Sequence, residues 1–445
     1  MSDLQYRNPM WRVSPWNYLP EVTKNFDFAE KILIHDVTLR DGEQETGVVF
    51  SSQDKIEIAK KLAKLGVHRI EAGMPAVSKD DEYAVKAIKD LNLGPQIFAF
   101  TRCMVGDVEQ AAKAGCDGVV MEIAANKEFV EKAYGKSFDW AKKAAIDATA
   151  AAKELGLYTA FFTIDGTRAD INDLLDMLEE VATNGHMDSV VLADTFGCAV
   201  PESYAMMIKK VKDRFHKPVE AHCHMHFGLG TGNTLAALAA GADVAHVTVA
   251  GLGEGAGNTP IEDVVLSLKC LYGIDLGLNT EHLMDTAKYV CHIANDHAIP
   301  VNRPILGERV FQVESGIGVM FATNAANASD MEILYAFNPA LVGQPPMDFV
   351  MGKKSGTYTV YLWLERIGRR DDADEEQCLD ILAKVKTIAL KKREVLTEAE
   401  FVAIVDEVLG APKETPKRGN PILDQQVSRA GKAWMEEKNA PVAAK

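Results

Sequence analysis

Three short segments of this chain hold most of the side chains that could do chemistry. His35-Asp-Val-Thr-Leu-Arg-Asp-Gly-Glu-Gln44 offers a carboxylate beside an arginine. His222-Cys-His224 offers two imidazoles, and Gly253-Glu-Gly-Ala-Gly-Asn258 an amide on a glycine turn. Each follows a short apolar run, so each is expected where a strand ends. His222 and His224 alternate along their strand and therefore face the same side. With Asp41 they make a metal site of the His/His/Asp kind, leaving positions open for substrate oxygens. A lone histidine is usually a core residue; two at this spacing opposite Arg-Asp-Gly point to ligands. Arg40 beside a metal would give a forked donor to a carboxylate or a developing enolate oxygen; its bland alternative is a surface ion pair. Neighbours in sequence, Arg40 and Asp41 diverge unless the turn bends them together. Such equipment suits an oxo acid and its enolate.

Other residues are less decided. His226 continues the alternation, but Gly228 and Gly230 follow closely, so it reads either as a further ligand or as a proton-transfer group. Glu254 lies among glycines that let the backbone approach closely. Buried, it could orient other groups; otherwise the segment is an ordinary loop.

The elements that must position these groups follow a clear rhythm. Apolar runs of strand length occur at 32–37, 69–72, 97–100, 118–123, 158–164, 189–193, 219–223 and 243–249. Helical patterns fall between them, including 54–65, 81–91, 138–155, 171–183, 202–215 and 231–240. Gly66, Gly115, Gly156, Gly185 and Gly241 stand where helix C-caps are expected. Eight strand–helix units between 31 and 275 fit a parallel (β/α)8 TIM barrel. An open doubly wound sheet is the alternative, weakened by the lack of Gly-x-Gly-x-x-Gly after the first strand. Barrel enzymes work at the C-terminal ends of their strands. That rule selects Arg40, Asp41 and Gln44 after strand one, Glu71, Arg102, Glu122 and Asp165 at strands two to five, and Asp194 and Thr195 at strand six. His222, His224 and His226 follow at strand seven, then Glu254 and Asn258. Gln44, Glu71, Arg102 and Asp165 are the candidate substrate contacts.

Residues 1–30 read as an irregular extension, 276–410 as a smaller α-rich accessory region and 411–445 as a polar tail. A helix is expected over 280–298, irregular chain over 299–360, and helices near 373–391 and 397–408. Gly352-Lys-Lys-Ser-Gly356 lacks the lead of a phosphate-binding Walker loop. With 445 residues, 47% of them apolar, the chain can bury a large core. A net charge of −16 argues against nucleic acid. Seven scattered cysteines without a Cys-x-x-Cys pair suggest a reduced, cytoplasmic protein. No apolar run approaches the ~20 residues of a membrane span.

The segments Asp36–Gln44, Ile70-Glu-Ala-Gly-Met-Pro75, Leu192-Ala-Asp-Thr-Phe-Gly-Cys-Ala-Val-Pro201, His222-Cys-His224 and Gly253–Asn258 resemble one family. It comprises metal-dependent 2-isopropylmalate, homocitrate and citramalate synthases and, more distantly, hydroxymethylglutaryl-CoA lyase. A weaker echo runs through 311–318, 335–343 and 352–356. The resemblance implies that Asp41, His222, His224 and Asn258 ligate a divalent metal cation (Mg2+, Mn2+ or Zn2+). Arg40 would steady the enolate, Thr195 would bind the substrate carboxylate, and Tyr335 would assist proton transfer. The implied reaction is a Claisen condensation of an acyl-CoA with a 2-oxo acid, giving an alkylmalate-type product. Its alternative is a metal-dependent aldolase or lyase running the reverse cleavage of a hydroxy acid or hydroxyacyl-CoA; a regulatory barrel that keeps the metal is the non-enzymatic rival. A homodimer or higher homo-oligomer is expected.

Several positions depart from the family pattern. Met225-His226 replaces Asn-Asp after His-x-His, Gly255 replaces an arginine, and Val313 and Gly318 replace two histidines of the accessory segment. The last two substitutions remove a general base. His226, the imidazole gained, is the candidate for its work, with Tyr335 or Glu254 assisting.

Overall fold

A computed structural model describes residues 5–328 and 330–412. The chain divides into two units. One comprises Pro15–Pro300 with Pro304–Leu306, and the other Met1–Ser14, Val301–Arg303 and Gly307–Lys445. No helix among the described residues is long and apolar enough to cross a membrane.

The larger unit is a closed barrel of eight parallel strands: β1 (Leu33–Asp36), β2 (Arg69–Glu71), β3 (Gln96–Arg102), β4 (Gly118–Ala124), β5 (Tyr158–Ile164), β6 (Ser189–Asp194), β7 (Val219–Cys223) and β8 (Val244–Val247). β1 pairs with both β2 and β8, which closes the ring and excludes the open sheet. Helices α1 (Ser52–Leu65), α2 (Lys79–Asp90), α3 (Val105–Ala114), α4 (Phe138–Glu154), α5 (Ile171–Asn184), α6 (Pro201–Phe215), α7 (Gly230–Ala239) and α8 (Ile261–Leu271) follow the strands in turn. α1 shows why the boundaries fall where they do. Ser51 and Asp54 form a reciprocal capping box at its start, and Gly66 ends it in the left-handed region. Gly115, Gly156 and Gly241 are also left-handed, but Gly185 is not.

The barrel interior is divided by chemistry. Phe98, Phe100, Val120, Ala160, Phe162, Val191 and Ala193, from β3 to β6, fill one side with apolar volume. His35, Arg69, Glu71, Glu220, His222 and His246, from β1, β2, β7 and β8, are all buried and fill the other side with polar groups. Register brings these together: His35 lies opposite Arg69 on one neighbour and His246 on the other. Charged groups are almost never fully buried unless paired, and Glu220 is paired here with both Arg69 and His246, while the His35 ring nitrogens and Glu71 Oε2 have no hydrogen-bond partner among the described residues.

The helix expected over 280–298 is shorter, α9 (Leu283–Ile293), and belongs to the barrel unit. In the smaller unit the stretch expected to be irregular contains β9 (Gln312–Val313) paired in parallel with β10 (Asp348–Phe349), and the helices α10 (Gly316–Asn327) and α11 (Thr357–Arg366). Glycines at 316 and 318 disguise α10, but Ser315 caps it by accepting from the Gly318 N–H at 3.2 Å. Helices α12 (Glu375–Lys392) and α13 (Glu398–Leu409) pack with α11 around Trp363, Ile381, Val385 and Phe401. Part of the N-terminal extension is tied to this unit, with the Arg12 N–H donating to the Ala336 carbonyl at 2.8 Å. Within Gly352–Gly356 the Ser355 hydroxyl serves the loop itself, accepting from the Gly352 N–H at 3.0 Å. Of the expected tail, residues 413–445 lie outside the described residues.

Candidate active site

The turn after β1 bends Arg40 and Asp41 together: Arg40 Nη1 lies 3.2 Å from Asp41 Oδ2. Asp41 Oδ2 is 3.3 Å from His222 Nε2 and 3.9 Å from His224 Nε2, and the two Nε2 atoms are 3.4 Å apart. All three residues are buried. Ligand bonds of about 2.1 Å put neighbouring ligand atoms about 3.0–3.4 Å apart; two of the three separations fall in that range and the third is longer, in a group that can hold one metal ion. Burial works against the Asp41 carboxylate, yet Arg40 and the two imidazoles hold its pKa well below the usual range. Burial likewise drives His222 down to about 3 despite Asp41. Both groups therefore stand in the forms a metal ligand needs.

Asn258 joins the cluster through the backbone. It forms an antiparallel bridge with His224, and its Nδ2 donates to the Leu252 carbonyl at 3.3 Å, leaving Oδ1 as an acceptor. Gly257 makes this turn possible. Its φ is +84°, and a Cβ there would sit 2.0 Å from the Gly251 carbonyl oxygen.

Arg40 is held on every side but one. Nε donates to Glu71, Nη1 donates to Gln44 Oε1 at 2.9 Å, and the guanidinium lies 4.0 Å over the Phe100 ring. Nη2 is buried and has no partner. Glu71 and Gln44, expected to meet substrate, instead orient this arginine. Burial raises the Glu71 pKa, with Arg40 opposing. Thr195 Oγ1 accepts from the Asp165 N–H at 2.9 Å, which leaves its own proton to donate.

Two expected substrate contacts are engaged elsewhere. Arg102 is half exposed and gives Nε and Nη2 to Asp107 at 2.8 and 2.9 Å. Asp165 is buried, with a left-handed φ of +57°, and accepts from Arg168 Nε at 2.6 Å, Arg168 Nη2 at 2.9 Å and Asn126 Nδ2 at 2.9 Å. Glu254 is exposed rather than buried; its backbone N–H, not its carboxylate, reaches Asp41 Oδ1 at 3.3 Å.

His226 is exposed and lies beyond His224, with ring centroids 6.1 Å apart. A Cβ on Gly255 would stand 2.7 Å from His226 Nε2. The histidine thus occupies the space that a side chain at 255 would take, and the two departures from the family pattern are one spatial exchange. The same holds in the smaller unit, where a Cβ on Gly318 would be 2.5 Å from Val313 Cγ1. Tyr335 belongs to that unit, half-buried, with Oη accepting from Asn338 Nδ2 at 3.2 Å. Burial, then Glu332 and Asp330, raise its pKa.

Sequence reading passed over His35, Arg69, Glu220 and His246, which lie inside the barrel rather than at its rim. The signal for Glu220 was present: two residues before His222, it shares the inward face. Glu122, at the end of β4, was noticed but given no role. Burial raises its pKa to about 7, with Arg40 opposing and Asp41, Glu71 and Glu254 adding to the rise.

A closed (β/α)8 barrel with a His/His/Asp cluster and a buried arginine at its strand ends defines an enzyme of the TIM-barrel class with a candidate metal site. Residues 31–290 match the model of the HMGL-like family, and the chain belongs to that family. It is 40% identical over 387 residues to a probable 2-isopropylmalate synthase of Ignicoccus hospitalis, covering 86% of this chain and 94% of the relative. Homocitrate synthase AksA of Methanocaldococcus jannaschii is 36% identical over 412 residues, with 92% and 96% covered. A putative (R)-citramalate synthase CimA of Methanopyrus kandleri is 34% identical over 399 residues, with 88% and 76% covered. Among solved structures, the HMG-CoA lyase from Brucella melitensis matches with a TM-score of 0.54 at 24% identity, over 60% of this chain and 100% of that one, a likeness of fold. The resemblance read from the motifs holds, and it is the synthases that share nearly the whole chain. Divalent-metal dependence is general in this family.

Proposed function

We infer that this chain is an alkylmalate-type synthase, an acyltransferase condensing an acyl-CoA with a 2-oxo acid. Asp41, His222, His224 and Asn258 would hold a divalent cation, which would supply a Lewis acid for the oxo acid. The remaining work falls to the protein's own groups. Thr195 Oγ–H donates to the substrate carboxylate. His226, at the exposed rim, takes the proton from the carbon next to the thioester. The enolate carbon so formed bonds to the ketone carbon, whose π electrons move onto the ketone oxygen. Arg40 Nη2 donates a hydrogen bond to the oxygen that gains charge, and that oxygen takes up the proton His226 removed; water then adds its hydroxyl to the acyl carbon as the carbon–sulfur bond breaks, and its proton leaves on the coenzyme A thiol.

The observation that carries this reading is the unpartnered Arg40 Nη2. A buried donor left unmade costs on the order of 1–3 kcal/mol, more for a charged group, and here it lies next to the ligand cluster. A site that stabilises a developing oxyanion has reason to keep such a donor free. The test is coenzyme A thiol release from acetyl-CoA with a panel of 2-oxo acids, with and without chelator. Metal-dependent release with at least one acid is expected; release with none would overturn the reading.

A further inference from the structure

Beneath the ligand cluster runs a buried chain of hydrogen bonds that the condensation does not use. His222 Nδ1 lies 3.3 Å from His246 Nδ1, and His246 Nε2 lies 2.8 Å from Glu220 Oε2. Glu220 Oε1 accepts from Arg69 Nη1 at 3.0 Å and from Ser189 Oγ at 2.6 Å. All five residues are buried.

The protons can be assigned from the far end. Arg69 is always charged and only donates, and Ser189 donates as well, so Glu220 is a carboxylate. A carboxylate only accepts, so His246 Nε2 is the donor to it. With a single ring proton, on Nε2, His246 accepts at Nδ1 from His222 Nδ1–H. His222 is left with a lone pair on Nε2, the atom facing Asp41 Oδ2 and His224 Nε2. In the other tautomer, Nε2–H would donate to Asp41 and close the cluster to a cation. Arg69 already supplies the positive charge beside Glu220. The neighbouring His35 stacks on His246 at 4.5 Å, but neither of its ring nitrogens has a hydrogen-bond partner among the described residues, so the relay runs through His246 and Glu220.

We propose that His246 and Glu220 are positioning residues that lock His222 in its metal-binding tautomer before any cation arrives. The proposal rests on reading Asp41, His222 and His224 as ligands. Groups that hold a ligating histidine through its other nitrogen are worth about 10–100-fold in metal affinity.

The first test uses the metal-free wild-type protein labelled with 15N-histidine, with His222 assigned by its loss in His222→Gln. A protonated Nδ1 and an unprotonated Nε2 are expected; the reverse pattern overturns the proposal, whether or not any variant folds. The second measures Mn2+ affinity by calorimetry in His246→Phe and Glu220→Gln, with the barrel checked by circular dichroism. Both should bind about 10–100-fold more weakly than wild type. Wild-type affinity in both variants overturns the relay and leaves the metal reading standing. A wild-type protein that takes up no Mn2+ overturns the metal reading, and the relay with it.

Discussion

Replacing Arg40 by lysine tests the enolate role because the structure limits what a lysine can do there. Arginine presents five N–H donors in a fixed fork, lysine only three. Glu71, Gln44 and Asp41 each take a bond from Arg40 or lie within ion-pair reach of it. An ammonium that serves these three has no proton left for the oxygen that gains charge. The substitution keeps the positive charge between two buried carboxylates, so it avoids the roughly 3–5 kcal/mol of breaking a buried pair outright. It does lose the stacking on Phe100, 4.0 Å away, worth about 0.5–2 kcal/mol. Loss of one oxyanion donor costs about 10²–10³ in turnover, or about 3–4 kcal/mol. The expected result is a fall of that size in kcat from the thiol-release assay, with KM changed much less, since the donor acts on the transition state. Metal content, measured by elemental analysis, should be unchanged. A variant that turns over within a few-fold of wild type would show that Nη2 is not the donor.

Three further outcomes are expected. Asp41→Ala, His222→Ala and His224→Ala should each lose bound metal and activity together while circular dichroism still reports the barrel; full metal occupancy in the His222/His224 double variant would sink the assignment. His226→Gln should keep its metal and lose about 10²–10⁴ in turnover. Loss of metal instead would make His226 a ligand. Asp36 is fully buried, accepts from the Thr38 N–H at 2.9 Å through Oδ1 and leaves Oδ2 unbonded. Burial raises its pKa from 3.8 to about 7. A raised carboxyl contributes stability below its unfolded pKa and loses it as pH rises through the folded value, about 1.4 kcal/mol per unit. Asp36→Asn keeps the Oδ1 acceptor and cannot ionise. It should therefore gain melting temperature on wild type between pH 4 and pH 8; a difference that stays flat across that range would refute the argument.

The strands and the ligand cluster could be read in the sequence because both depend on short-range pattern. Apolar runs separated by capped helices repeat eight times, and His-x-His fixes two imidazoles on one face whatever the rest of the chain does. For Arg102 and Asp165, a position at a strand end says nothing about the partners each already holds. For both, that partner is local: Asp107 lies five residues after Arg102, and Arg168 three after Asp165. A carboxylate or guanidinium that close in a turn is reason to expect a closed pair. The polar half of the barrel core was missed for a different reason. A charged residue inside a strand pattern is normally taken as outward-facing, and only the register of β1 against β2 and β8 makes His35, Arg69 and His246 neighbours.

The departures from the family pattern, unconnected when read along the chain, pair off in space. Gly255 has lost a side chain where His226 has gained one, and Val313 packs where Gly318 has none. Asp41, His222, His224 and Asn258 are all present, and a bonded relay stands behind His222. His226 and Gly255, which depart from the family pattern, lie next to those ligands in sequence. On the proposed reading that change falls on proton transfer rather than on metal binding, and His226→Gln separates the two by turnover and by metal content.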